Sequence, residues 1–369
     1  MKKIVKYVGL DVHKDSIAIA IADQGRDGEV RVYGKIANDL DQIDKVMRKL
    51  ISKNAQLHCV YEAGPCGYTL FRHLTNKGIG CVVVAPALIP KKSGDRVKTD
   101  RRDAIKLATL HRSGELTAIY VPDQDDEAVR DLVRARADTQ KALRKVKQQI
   151  NAFLLRHGIS YHGKTKWSKI HLTWLTAIKM AHPAQQIALT EYLDAMENNE
   201  ARVTRITKQL ESFCHRWRLR PVVQALQSMR GISFVSAVTI IAELGDMNRF
   251  DKPSQLMAYL GLIPSEYSTG NSIKKGPITK TGNTHARRAL IESAQAYRLP
   301  ARKSVAIRKR QQGVSEDVLS VSWDAQLRLC SRYRNLKAKG KHHNVVITAI
   351  ARELAGFIWA IVRLVPLAA

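Results

Sequence analysis

Apolar side chains fall at every second position in Val8 and Leu10, and again in Ile17, Ile19 and Ile21. That period of two predicts strands over 4–10 and 16–22, with a third over 29–36. The period then lengthens. Leu40, Ile43, Val46, Met47 and Leu50 lie on one stripe of a helix over 39–53. A strand over 57–61 ends in Glu62, a helix covers 67–77, and a buried strand over 81–84 stops before Pro86. A helix from Asp100 to His111 closes this part. The order is three strands, helix, strand, helix, strand, helix.

Beyond residue 118 the pattern is helical. Val129, Leu132, Leu143, Val146, Ile150 and Phe153 keep a three-four spacing over 126–156, with Arg136 and Thr139 at seam positions. Leu189, Tyr192, Met196, Val203, Ile206, Leu210 and Phe213 repeat it over 185–214, with Asn199 at the seam, a residue type that can set register. Joined by an irregular 157–184, the two predict an antiparallel coiled coil, acting as a spacer or dimer arm. Shorter helices are expected over 222–229, 234–244 and 254–260. The basic stretch holding Arg302, Lys303, Arg308, Lys309 and Arg310 reads as mobile, followed by amphipathic helices. The apolar segment 354–362, beside Arg352, Glu353 and Arg363, is too short to span a bilayer and reads as a packed helix, so no membrane partner is expected. Three domains follow: 1–118, 119–218 and 219–369.

Charge narrows the function. The 369 residues carry a net charge of +28 and a pI near 10.1, which implies a polyanionic partner, most simply nucleic acid. Basic residues exceed acidic ones by 19 to 6 in 261–369, against 21 to 13 in 1–118, so the strongest phosphate contact is expected in the last part. Five cysteines without metal-ligand spacing imply neither a disulfide framework nor a zinc site, and fit a reducing cytoplasm. Asp11 interrupts the first apolar run, which speaks against a signal peptide.

Asp11 ends the first strand, as either a turn-forming residue or a metal ligand. Glu62 ends the fourth strand, and Asp100 and Asp103 share one helical face. In a ribonuclease-H-like fold, whose element order this is, the first and fourth strands are neighbours and the last helix packs across their ends. The four carboxylates then converge, and Mg²⁺ would relieve their repulsion. Further on, 261–283 holds four glycines among hydroxyls and cations, leading into a helix with Arg287 and Arg288. Such a loop can approach a phosphate backbone, with Lys274, Lys275, Lys280, Arg287 and Arg288 as candidate contacts. Its hydroxyls are either phosphate hydrogen bonders or include a nucleophile. No histidine lies within a few residues of Ser268, the nearest being His285, so a serine there would look to the N-terminal acids for activation.

Gly9-Leu10-Asp11-Val12-His13-Lys14, Glu62-Ala63-Gly64, Lys98-Thr99-Asp100-Arg101-Arg102-Asp103-Ala104 and the Ser268 loop together resemble the DEDD transposases of insertion sequences, with the Piv-type DNA invertases as relatives. The likeness runs nearly the full length. The tail Gly276-Pro277-Ile278-Thr279-Lys280-Thr281-Gly282-Asn283 resembles the subgroup with subterminal inverted repeats. The resemblance implies a RuvC-like catalytic domain, a coiled coil and a mostly helical transposase domain. It implies Mg²⁺ on Asp11, Glu62, Asp100 and Asp103, and a noncoding bridge RNA pairing with donor and target DNA in a nucleoid-associated recombinase. It also implies a serine nucleophile. Where the family loop usually reads Ser-Ser-Gly, this chain has Ser268-Thr269-Gly270, which makes Ser268 the choice and Ser265 and Ser272 lesser candidates. A dimer or tetramer is expected. The competing reading is a hydrolytic endonuclease or junction resolvase with the same acids and water as nucleophile.

Overall fold

The computed structural model describes residues 4–51, 55–90, 94, 99–270 and 272–366. Lys53, the expected end of the first helix, Lys98 of the motif before Asp100, and Asn271 of the loop lie outside the described residues. The chain falls into two compact units, Met1–Val121 and Pro122–Ala369.

The first unit contains β1 (Ile4–Val12), β2 (Ser16–Asp23), β3 (Val30–Ala37), α1 (Leu40–Ile51), β4 (Ala55–Glu62), α2 (Thr69–Asn76), β5 (Gly80–Val84) and α3 (Asp100–Arg112). The sheet order is β3-β2-β1-β4-β5. β1–β2 and β2–β3 are antiparallel, whereas β1–β4 and β4–β5 are parallel. This is the order expected of a ribonuclease-H-like domain. Two layers cover the sheet for a compositional reason. Val8, Leu10, Ile17, Ile19 and Ile21 pack with Ile43, Met47 and Leu50 of α1. The opposite face carries Ala18, Ala20 and Ala22, and against these small side chains lie Ala104 and Ala108 of α3.

The second unit contains α4 (Gln124–Arg156), α5 (Lys169–Ala177), α6 (Pro183–Cys214), α7 (Arg220–Gln227), α8 (Phe234–Leu244), α9 (Pro253–Tyr259), β6 (Pro264–Glu266), β7 (Lys275–Ile278), α10 (Thr284–Ala294), α11 (Val305–Arg310), α12 (Glu316–Ala338) and α13 (His343–Leu364). The long helices α4 and α6 run antiparallel, bridged by Arg136 Nε donating to Thr207 Oγ1 at 2.7 Å and Lys147 Nζ to Glu200 at 2.6 Å. Their distal halves form a small core of Leu143, Ile150, Phe153, Leu189 and Met196. Their proximal halves enter the main core, where Val129, Val133, Leu210 and Cys214 join the helices that follow.

Five expectations change here. Asn199 does not reach across the seam, since its Nδ2 donates to Ala195 O one turn back in its own helix. Phe213 is exposed, and its neighbour Cys214 takes the buried place beside Val129 and Val133 of α4. The stretch 157–184 contains α5, whose His171 is buried and stacks on Trp174. Residues 305–310 form a helix rather than a mobile stretch, because Ile307 is buried and Arg310 Nη1 donates to Ile232 O at 2.6 Å. The last apolar helix is also longer than expected. α13 is long and apolar enough to cross a bilayer by composition alone. Instead Ile350, Leu354, Ile358 and Ile361 lie within the main core, packed against the surrounding helices.

Candidate active site

Gly9 sets the geometry of the acid cluster. A Cβ placed on Gly9 would sit 2.5 Å from the Ala108 amide nitrogen, and closer still to the Ala104 carbonyl oxygen. Only a glycine lets the backbone of α3 approach β1 so closely. Residues two apart on a strand share a face, so Asp11 lies on the same side, towards the start of α3. That helix is capped by Thr99, whose Oγ1 accepts the Arg102 N–H at 3.3 Å. Asp100 and Asp103 occupy its first turn, where the helix dipole favours negative charge. Leu10 pairs with Tyr61 across the β1–β4 ladder, which brings Glu62 to the same strand ends.

The tightest group of ligand-type atoms comprises Asp11, His13 and Asp100, all within 4.8 Å of one another. His13 Nε2 lies 3.1 Å from Asp11 Oδ2 and 3.5 Å from Asp100 Oδ1, and Lys35 Nζ donates to Asp100 Oδ2 at 2.9 Å. Asn38 Nδ2 donates to the His13 carbonyl at 2.8 Å and steadies the turn. Burial raises the pKa of Asp11; His13 opposes this, while Asp103 and Asp100 add to it. Lys35 holds Asp100 below its ordinary value. Asp11 is therefore a half-buried carboxyl with less counter-charge than its setting demands. Carboxylate oxygens of this kind suit a hard divalent cation, so the donor set fits one. Glu62 and Asp103 stand outside the tightest group, Glu62 with an exposed side chain.

The glycine-rich loop is a short hairpin. β6 and β7 pair antiparallel. Tyr267 N donates to Lys274 O at 2.9 Å, and Thr269 and Ser272 bond reciprocally at the turn. Ser268 is exposed, and its Oγ donates to Glu266 Oε1 at 2.7 Å. Ser265 Oγ instead donates to the Pro277 carbonyl at 3.2 Å, tying the two strands. Lys274, Lys275 and Lys280 are exposed. Arg287 Nη1 donates to Leu260 O and Thr281 O at 3.0 and 2.7 Å, so part of this guanidinium closes the loop ends, and Arg288 pairs with Glu292 at 2.8 Å.

Behind the loop, Gly282 has φ +70° and no room for a side chain against Tyr259. Asn283 caps α10, its Oδ1 accepting from Ala286 N at 3.0 Å, and its Nδ2 donates to Glu243 Oε2 at 2.6 Å. The Glu243 carboxylate is fully covered and also takes two hydrogen bonds of 2.8 Å from Arg134. Burial raises its pKa, but the bonds from Arg134 and Asn283 outweigh that and leave it below the ordinary value.

Three site residues escaped sequence reasoning. His13 and Glu266 each stand two positions from an assigned residue in extended chain, a spacing that places both on one face. Lys35 carried no local signal. Residues 8–159 match the sequence profile of a DEDD transposase family, described as "Transposase", and 223–308 match the "Transposase IS116/IS110/IS902 family". Protein y4qE of Sinorhizobium fredii, provisionally named a transposase, is 48% identical over 97% of this chain and 88% of its own. The transposase for insertion sequence element IS1533 of Leptospira borgpetersenii is 33% identical over 92% of this chain and 99% of its own. The transposase for IS1111A of Coxiella burnetii is 22% identical over 80% and 78%.

Proposed function

The chain belongs to the IS110 family of DEDD transposases, which cleave and rejoin DNA, and from that premise we propose that Asp11, Glu62, Asp100 and Asp103 hold Mg²⁺ while Ser268 attacks the DNA phosphate. The observation that carries the reading is the meeting of Asp11 and Asp100 at the ends of β1 and α3, with Glu62 at the neighbouring strand end. A divalent cation held there would neutralise charge on the scissile phosphate. Lys35 and His13 stand beside the carboxylates and limit their mutual repulsion.

Ser268 is the nucleophile in this reading because it is exposed at the hairpin, whereas Ser265 is engaged with a backbone carbonyl. A phosphoserine bond conserves the energy of the DNA linkage and allows rejoining without ATP. Lys274, Lys275, Lys280 and Arg288 supply phosphate contacts, and Arg287 supports the loop they stand on. A structured noncoding RNA pairing with donor and target DNA accounts for the +28 charge. The α4–α6 pair serves as a coiled-coil spacer in a dimer or tetramer, in which the acids of one protomer serve Ser268 of another.

The experiment uses Asp11→Asn and Ser268→Ala. Asp11→Asn abolishes strand exchange with nucleic-acid binding intact, and Ser268→Ala abolishes the detergent-resistant protein–DNA adduct. Mixing the two variants restores exchange. Normal recombination by Asp11→Asn, or an adduct with Ser268→Ala, sinks the proposal, and failure of the mixture removes the shared-site arrangement. Ribonuclease treatment eliminates sequence-specific DNA binding; specific binding by RNA-free protein removes the guide.

A further inference from the structure

We infer that Glu266 is the proton acceptor for Ser268, an inference that rests on the reading of Ser268 as nucleophile. A serine hydroxyl is a weak nucleophile at neutral pH and needs a base within hydrogen-bond reach. Glu266 meets that geometry, since Ser268 Oγ donates to its Oε1 at 2.7 Å. The contact is built into the hairpin. Glu266 is the last residue of β6, placed opposite Lys275 of β7, and the next residue, Tyr267, continues the pairing to Lys274. An extended backbone then puts residues 266 and 268 on one face.

The other hydroxyls differ. Ser265 is bonded to the Pro277 carbonyl, and Thr279 and Thr281 are bonded to each other at 3.1 Å. Among the described residues of this loop, Ser268 alone donates to a carboxylate. No lysine or arginine among the described residues forms an ion pair with Glu266, so its carboxylate is not held by a cation away from Ser268.

In the forward step the Oγ–P bond forms, the P–O bond to the leaving sugar oxygen breaks, and the Oγ proton passes to Glu266. The leaving oxygen takes its proton from water. In rejoining, a sugar hydroxyl gives its proton to water as its oxygen bonds to phosphorus, the Oγ–P bond breaks, and Glu266 returns its proton to Oγ. No oxidant or external energy source is required.

The test measures the rate of detergent-resistant adduct formation by the full-length protein with its copurifying RNA, on labelled DNA, from pH 5 to 9. Glu266→Gln should slow adduct formation by roughly 10²- to 10⁴-fold, the usual contribution of a positioned base, with DNA affinity and its salt slope unchanged. Its residual rate should climb steadily with pH, where the wild type levels off. In a Ser268→Cys background the same Glu266→Gln change should cost under about tenfold, because a thiol ionises near pH 8.5 without help. A Glu266→Gln rate within twofold of wild type, or a pH profile parallel to wild type, overturns the inference. An equal loss in the serine and cysteine backgrounds does the same, marking Glu266 as a purely structural support. Ser268→Ala separates the two readings. If it abolishes the adduct while Glu266→Gln is silent, only the base assignment falls; if the adduct persists, the nucleophile assignment falls too.

Discussion

Gly9→Ala should damage both the stability of the first unit and its chemistry. The new methyl would lie 2.5 Å from the Ala108 nitrogen and nearer still to the Ala104 carbonyl. Real carbon–nitrogen contacts begin near about 3.3 Å, so α3 must retreat from β1 by roughly 1 Å. Both obstructing atoms belong to the backbone, so no side-chain trimming on α3 can absorb the methyl. Overpacking of this kind costs about 1–3 kcal/mol, a fall of roughly 3–10 °C in the unfolding midpoint of a unit this size. The retreat also carries Asp100 and Asp103 away from Asp11. A misplacement of about 1 Å commonly costs on the order of 10²-fold in rate. The assay pairs thermal unfolding with strand-exchange rate and uses Gly64→Ala as control. Gly64 lies in the Glu62 motif, yet its Cβ would meet nothing nearer than 4.0 Å. If Gly9→Ala matches wild type in midpoint and rate, the close approach does not govern the site.

Other outcomes follow from the same geometry. Asp11→Asn should raise the melting temperature of the cation-free protein at pH 7, because burial disfavours the charge it removes; a lower midpoint in EDTA would contradict this. Arg134→Ala should cost about 2–3 kcal/mol in a denaturant melt, since it strips a fully covered Glu243 of its main partner, less than for a wholly buried pair because Arg134 is 42% exposed. Glu243 is held below its ordinary value of 4.5, so its contribution is complete above that pH and is lost as pH falls towards the folded-state value; stability of Glu243→Gln should therefore fall less steeply in acid. Neutralising Lys274, Lys275 or Lys280 should lower the salt slope of DNA binding by about 0.9 each, whereas Arg287→Gln should instead loosen the loop and lower the melting temperature. Equal slope changes at all four positions would refute that division.

The sheet was legible because each strand states its own period, and β1, β2 and β4 fall within two residues of expectation at each end. The expectation that Asp11, Glu62, Asp100 and Asp103 converge followed from element order, and the structure brings Asp11 and Asp100 of these together. What made it physically possible did not, since Gly9 and the alanines facing α3 are small residues without periodic contrast. The β6–β7 hairpin was hidden for a related reason. Its strands are short and contain Pro264 and Pro277, residues that normally argue against a strand interior. Helix α5 owes its stability to His171 and Trp174 packing at the end of the helix pair, a tertiary effect that local pattern does not report. The seam spacing persisted through Phe213 although Cys214 is the residue that meets Val129 and Val133 at that turn, because apolar spacing along one helix does not say which of two adjacent residues faces the other helix. Arg287 and Arg288 looked alike as cations, and only the carbonyls of Leu260 and Thr281 separate them.

The placement of α13 governs the order in which the molecule can be made. The first unit has its sheet and α3 in hand once residue 112 has been synthesised, and its strands mostly pair with near neighbours in sequence. The second unit differs. Val129 and Val133 of α4 share one core with Ile350, Leu354 and Ile358 of α13, more than 200 residues later. Contacts so distant along the chain form slowly. Until α13 emerges from the ribosome, the helices around it lack their centre, and apolar faces left exposed in this way favour aggregation. Translation thus delivers a finished acid-bearing unit well before the hairpin-bearing unit can close.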